Sequence, residues 1–166
     1  MNASQAKRFF RRQLSARIAA DWVVTADSAQ SRTQPVELAW QFDRGSVLPE
    51  AGSFLLLSFG MHGDPSSPDS RLRDGLLEVT NPPDEHFIVQ RNNQVRDKLA
   101  PISAELAAAL DPMTTAYLAE RRDKRTQLIV GGDPLLLYLD EEDLIAWAEW
   151  IAASLAGWVA SVRRMA

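Results

Sequence analysis

Residues 140–164 read DEEDLIAWAEWIAASLAGWVASVRR, and this stretch predicts one long helix from Asp140 to Arg164. Asp140 is a suitable N-cap, and the three acids after it fall in the first turn, where carboxylates meet free N–H groups and the positive end of the helix dipole. Arg163 and Arg164 lie at the opposite, negative end. Because no proline interrupts the stretch, we expect a continuous helix.

The large apolar residues of this helix recur at spacings of three and four, so they share one face, which we expect to lie on the core. They are Leu144, Trp147, Ile151, Leu155, Trp158 and Val162. A second face carries mainly small residues, which allow another backbone to approach, and one tryptophan, which could anchor an interface. We therefore predict an interface formed by Trp150, Ala153, Gly157 and Ser161.

A membrane-spanning reading of the same helix has to be weighed, because Glu149 is the only charged residue between Leu144 and Val162. An acid near the middle costs roughly 2.5–3.5 kcal/mol on insertion scales, and alanine contributes little in return. We therefore expect the helix to be covered by protein rather than lipid.

Composition narrows the classes of protein further. The chain has 166 residues and no cysteine, which predicts a single domain, residues 1–166, and excludes disulfides, thiolate metal sites and cysteine nucleophiles. Phe9 and Phe10 are followed at once by Arg11 and Arg12, so the first residues lack the apolar run of a secretory signal. We expect a cytoplasmic protein that could be peripheral to a membrane.

The charge is distributed unevenly. The first twenty residues contain five bases and no acid, whereas the rest of the chain has 13 bases and 22 acids, a net charge of −9. Residues 4–20 predict a moderately amphipathic helix whose Lys7, Arg8, Arg11 and Arg12 could bind an anionic surface. The ordinary alternative is a helix that packs on the sheet while its arginines contact water. Nucleic acid is disfavoured as a partner of the acidic body.

The middle of the chain is typical of β-strands. Apolar residues alternate from Val36 to Phe42, and residues 54–59 form an apolar run typical of a central strand. We also predict strands at 22–25, 75–80 and 86–90, and a hairpin over 128–139 whose turn is Gly131-Gly132-Asp133-Pro134.

Two short helices are predicted between Gln94 and Arg122, and the charged residues 120–125 are expected to end the second. These elements define the fold class. We predict an α+β domain in which an antiparallel sheet of about five or six strands packs against the N-terminal helix and the long C-terminal helix.

Chemistry-bearing residues are few. His62 and His86 each have acidic neighbours, but the predicted hairpin separates them, so we expect no shared metal site. Gly131-Gly132 lacks the lysine and the following helix of a phosphate-binding loop, and no serine has the surroundings of an activated nucleophile. We predict no catalytic residue, no metal and no cofactor.

Three functions remain in order of preference. The first is a non-catalytic accessory or adaptor protein that binds a protein partner or its own copy through the C-terminal helix. The second is peripheral binding to an anionic membrane or nucleic acid through the N-terminal helix. The least favoured is a small enzyme that uses the loop at residues 60–74.

Overall fold

The computed structural model describes residues 3–33, 36–42, 54–61, 77–78, 85–108, 118–122 and 129–165. Three helices are the main helical elements of these ranges: α1 (Ala3–Arg17), α2 (Glu85–Leu99) and α3 (Glu141–Met165). The strands are β1 (Trp22–Val24), β2 (Ser28–Ser31), β3 (Val36–Phe42), β4 (Phe54–Met61), β5 (Leu77–Glu78), β6 (Leu118–Arg122) and β7 (Ile129–Leu137). A short helical segment lies at residues 104–108.

The described strands form one sheet in the order β1-β2-β3-β4-β7-β6, and every pair of neighbours is antiparallel. β4 pairs with β3 from Leu55 to Met61, while its other side pairs with β7 through Phe54–Leu56 and with β5 through Gly60 and Met61. The chain therefore mixes helices and strands as predicted. The expected five or six strands are wrong in number, because seven are present among the described residues.

The main core lies between the sheet and the two terminal helices. Phe10 of α1 contacts Trp40 and Phe42 of β3 edge to face, with ring centroids 5.2 and 5.8 Å apart. Phe42 contacts Tyr138 in the same way at 5.7 Å. α3 contributes Trp147 and other fully buried side chains to this cluster. Edge-to-face geometry suits the charge distribution of aromatic rings, so these contacts orient α1 on the sheet as well as burying it.

The region predicted as a strand at residues 86–90 is helical instead. α2 runs from Glu85 to Leu99, and its buried residues Ile88, Asn92, Val95 and Leu99 recur at helical spacing. The three consecutive apolar residues at 87–89 fit either period over so short a window. The strand prediction was wrong because it was based on these few residues, whereas the helix extends beyond them in both directions.

A second correction concerns the predicted hairpin at residues 128–139. Its described part is one strand, β7, which pairs first with β6 and then, from Leu135 onward, with β4. Gly131 and Gly132 lie opposite one residue of β6, between the pairs Ala119↔Asp133 and Arg121↔Val130. Two residues opposite one define a β-bulge, where glycine is favoured. The glycines therefore form an irregularity in a strand rather than a turn.

The charged residues from 120 onward were expected to end a helix, and this is also wrong where the structure describes them. Leu118–Arg122 is strand β6 at the end of the sheet order. Charged residues are common on strands with a free edge, because they discourage pairing with another chain.

Candidate functional site

The first turn of α3 is built as the sequence predicts. The Asp143 N–H donates to Asp140 Oδ1 at 3.1 Å, and the Leu144 N–H donates to the Asp140 carbonyl at 3.4 Å. Asp140 is therefore the N-cap. Its carboxylate has a structural task, which explains the acids of this turn without a metal ion.

Asp143 holds α2 against the start of α3. Its side chain is fully buried, and its Oδ1 accepts hydrogen bonds from Lys98 Nζ at 2.6 Å and from Arg91 Nη2 at 3.2 Å. Its Oδ2 accepts from the Leu139 N–H at 2.9 Å. Lys98 also donates to both oxygens of Asp140. The charges of Arg91 and Lys98 balance those of Asp140 and Asp143, so this polar cluster is electrically neutral. We interpret these four residues as a structural contact between α2 and α3 and call them the clamp.

The same contacts shift two pKa values. Burial by itself lowers the pKa of Lys98, but the hydrogen bonds and charges of Asp143 and Asp140 outweigh it and raise that pKa. Burial raises the pKa of Asp140, whereas the Asp143 N–H and the Lys98 ammonium lower it by more. Both charged forms are thus favoured in the folded state.

Sequence reasoning missed this clamp. Arg91 and Lys98 lie seven residues apart, two helical turns, which places them on one side of α2. That spacing could have been noticed, but part of α2 was taken for a strand. The acids of α3 were correctly assigned to the helix start, while their partners from α2 were not found.

Trp150, the predicted interface anchor, lies in the core. Only 7% of its surface is exposed. Its ring stacks on Phe87 of α2, with centroids 5.4 Å apart and an angle of 19° between the planes, and it meets Trp147 edge to face at 5.7 Å. The expectation that it faces outward was wrong, because α2 covers the side of α3 that a sheet alone would have left open.

The remaining residues of the predicted interface are placed differently. Ala153 and Gly157 are exposed, and a Cβ built on Gly157 would meet nothing within 4 Å. The side chain of Ser161 lies outside the described part of the structure. Of the predicted interface, Ala153 and Gly157 are thus exposed, and the neighbouring Ala156 and Ala160, which were not part of the prediction, are exposed as well.

The basic residues of α1 lie on the side of that helix away from the core. Ala6, Phe10 and Leu14 are fully buried, whereas Arg8, Arg11 and Arg12 are exposed and Lys7 is half-buried. Arg17 has an acidic partner, Glu149 of α3, at 3.6 Å. In the described ranges no acid forms an ion pair with Lys7, Arg8, Arg11 or Arg12.

A shallow groove lies between this basic face and the start of α3. Arg8, Arg11 and Arg12 line it together with Ser15 and Glu141, and Phe9 contributes an apolar wall. The Arg12 guanidinium carbon lies 5.9 Å from the centroid of the Phe9 ring, within reach of a cation–π contact. The groove thus presents three guanidinium groups and one carboxylate.

Of the two histidines considered for catalysis or metal binding, the structure describes only His86. His86 is exposed in the first turn of α2. His62 and most of the predicted loop 60–74 lie outside the described residues, and Gly60 and Met61 belong to β4. Among the residues that the structure does describe, no group of three or more histidines and acids is placed to hold a metal ion.

Comparisons with known proteins add no assignment, since no family model matches the chain and the searches of curated proteins and of solved structures found no significant match. Within the described ranges, no helix combines the length and the apolar character that crossing a bilayer requires. We therefore base the proposed function on the geometry of the basic residues of α1 and of the exposed small residues of α3.

Proposed function

We propose that this chain is a non-catalytic accessory protein that attaches peripherally to an anionic membrane surface through the basic face of α1, defined by Lys7, Arg8, Arg11 and Arg12. The observation that carries the proposal is that Arg8, Arg11 and Arg12 are exposed on the side of α1 away from its buried residues, that Lys7 is half-buried beside them, and that no described acid pairs with any of the four. A cluster that no described acid neutralises has charge available for an anionic partner.

The burial of the other side of α1 decides the mode of attachment. Phe9, Phe10 and Leu14 are in the protein core, so they do not insert among acyl chains. The attachment is electrostatic, and each lysine or arginine near an anionic surface contributes about 1 kcal/mol. Its strength must therefore fall as ionic strength rises.

The acidic remainder of the chain does not prevent this contact. A planar membrane meets one face at a time, and charges more than about 8 Å away are screened at physiological salt. Nucleic acid is less well suited, because single strands bind on exposed aromatic rings, and the aromatic side chains of α1 are buried.

Flotation with phosphatidylglycerol vesicles tests the proposal. We expect the protein to float at low salt and to be released at 0.5 M salt. Arg11→Gln should weaken binding about fivefold, as expected for loss of about 1 kcal/mol. Arg32→Gln is the matched control. It removes the same charge from an exposed arginine that follows β2 and lies outside α1. Failure of the wild-type protein to float at low salt contradicts the proposal.

A second candidate function is binding of a protein partner, or of a second copy, through the exposed small-residue face of α3. Its support is that Ala153, Ala156 and Gly157 are exposed and that Ala156 lines a groove together with Trp22 of β1, the first strand in the sheet order. The molar mass measured by light scattering for the wild type and for Ala153→Arg tests self-association. Ala108→Arg, which changes another exposed alanine, is the control. A monomer in the wild type eliminates the homo-oligomer version.

A further inference from the structure

We infer that the groove between α1 and the start of α3 binds a dianionic phosphomonoester group, supplied by the headgroup of an anionic membrane lipid. The inference rests on the proposed function and deepens it, because it names the group recognised on the membrane. It concerns three of the four predicted cations. Arg8, Arg11 and Arg12 line the groove, whereas Lys7 does not.

The residue types fit phosphate better than a diffuse negative surface. A guanidinium group donates in a planar fork that pairs with two phosphate oxygens, whereas an ammonium group acts as a point charge. Every cation in the described lining of the groove is an arginine. Ser15 adds a hydroxyl at its wall, and the Phe9 ring lies beside the Arg12 guanidinium, which limits the positions that this group adopts.

The charge of the groove selects the type of phosphate. In the described part of its lining, three arginines and Glu141 give a net charge of +2. A phosphomonoester carries about −1.5 to −2 at neutral pH, whereas a phosphodiester carries one negative charge, so the positive groove attracts the phosphomonoester more strongly. Glu141 repels both anions, but the three arginines outweigh it.

The location supports a lipid source. The arginines that line the groove also belong to the face proposed to meet the membrane, so a headgroup reaches them without entering the protein. Lys7 would then add unspecific attraction, and the three arginines of the groove would supply the preference among headgroups.

Binding to vesicles of equal surface charge tests this inference. One set contains phosphatidic acid, whose headgroup is a phosphomonoester, and the other contains phosphatidylglycerol, a phosphodiester. We expect the wild-type protein to bind the first at least about fivefold more tightly, since bidentate arginine pairs are stronger and more specific than unspecific charge attraction.

The double variant Arg8→Lys/Arg12→Lys separates recognition of the phosphomonoester by the groove from general attraction to an anionic membrane. It keeps the charge of α1, so binding to phosphatidylglycerol should persist while the preference for phosphatidic acid disappears. Arg32→Lys, an exposed position outside α1 and outside the groove, is the matched control and should retain the preference. Both positions changed in the double variant are exposed, and circular dichroism checks that the fold is intact.

The possible failures are distinguishable. Equal binding of the two vesicle types together with no binding of soluble glycerol 3-phosphate overturns the phosphomonoester groove and leaves the proposed membrane attachment standing. Absence of binding to both overturns the proposed function and the groove with it. Binding of soluble glycerol 3-phosphate together with no preference between vesicles overturns the lipid source.

Discussion

The indole N–H of Trp147 donates a hydrogen bond of 2.8 Å to the carbonyl oxygen of Leu137, and both residues are buried. On the same residue of β7, the Leu137 N–H donates to Asn92 Oδ1 at 3.0 Å. Among the described residues, pairing between β6 and β7 extends to Pro134, and Leu137 lies beyond it. Side chains from α2 and α3 thus join these helices to the sheet through hydrogen bonds to its backbone.

Replacement of Asn92 tests the importance of this connection. Asn92→Leu keeps the number and branching of the side-chain heavy atoms but leaves the buried Leu137 N–H without its acceptor, so we expect a loss of about 2–3 kcal/mol in the free energy of unfolding. Urea denaturation measures it. Asn93→Leu is the matched control, because Asn93 is its neighbour and is half-buried. Equal effects at the two positions contradict the role given to the hydrogen bond.

Removal of Asp143 tests the polar clamp. Asp143→Ala leaves Arg91 and Lys98 near each other without the carboxylate they share, and we expect a loss of about 3 kcal/mol, the lower part of the range for a buried pair. The lower value applies because the Lys98 side chain is 37% exposed. Glu142→Ala, an exposed acid of the same helical turn, should change stability by less than about 1 kcal/mol. Similar losses in both variants would show that helix capping, rather than the clamp, dominates.

The pKa shifts of the clamp predict the pH dependence of stability. The folded-state pKa of Asp140 is below its ordinary value of 3.8, so its contribution is present above pH 3.8 and is lost as the pH falls through the lowered pKa. The folded-state pKa of Lys98 is above 10.5, so its contribution is present below pH 10.5 and is lost as the pH rises through the raised pKa.

Denaturation of Lys98→Gln across the pH range tests both the acidic and the alkaline part of this pH dependence. This variant removes the cation that helps to lower the pKa of Asp140, so we expect a weaker dependence at acidic pH and loss of the Lys98 contribution at alkaline pH. Lys7→Gln is the control, since Lys7 has no ion pair with any acid in the described ranges. An unchanged profile in Lys98→Gln contradicts the linkage.

Trp150→Arg distinguishes a core residue from an interface residue. Because Trp150 stacks on Phe87 inside the protein, an arginine there buries a charge and removes ring contacts, and we expect a loss of at least about 3 kcal/mol. Ala153→Arg, three residues further along α3 and exposed, should leave stability nearly unchanged. Thermal denaturation compares the two. A stable Trp150→Arg protein would mean that this side of α3 is not covered.

Local sequence patterns correctly predicted the elements that contain a long periodic stretch or have capping residues at their ends. α3, its cap at Asp140, α1 and the alternating strand at 36–42 all appear where the sequence places them. Residues 86–90 and the glycines of β7 were misassigned because short apolar runs and glycine pairs fit several structures, and the choice depends on partners distant in the sequence. The clamp was missed for the same reason, since Lys98 and Asp143 are 45 residues apart.

The sequence by itself determined that α3 is a capped amphipathic helix and that the bases of the first segment gather on one helix, because both properties depend on neighbours within a few residues. Only the tertiary structure decided that Trp150 is enclosed by α2, that Asp143 joins two helices, and that Arg8, Arg11 and Arg12 stay exposed beside the start of α3. Those outcomes depend on which surfaces cover one another, and burial is a property of the whole packing arrangement rather than of any local pattern.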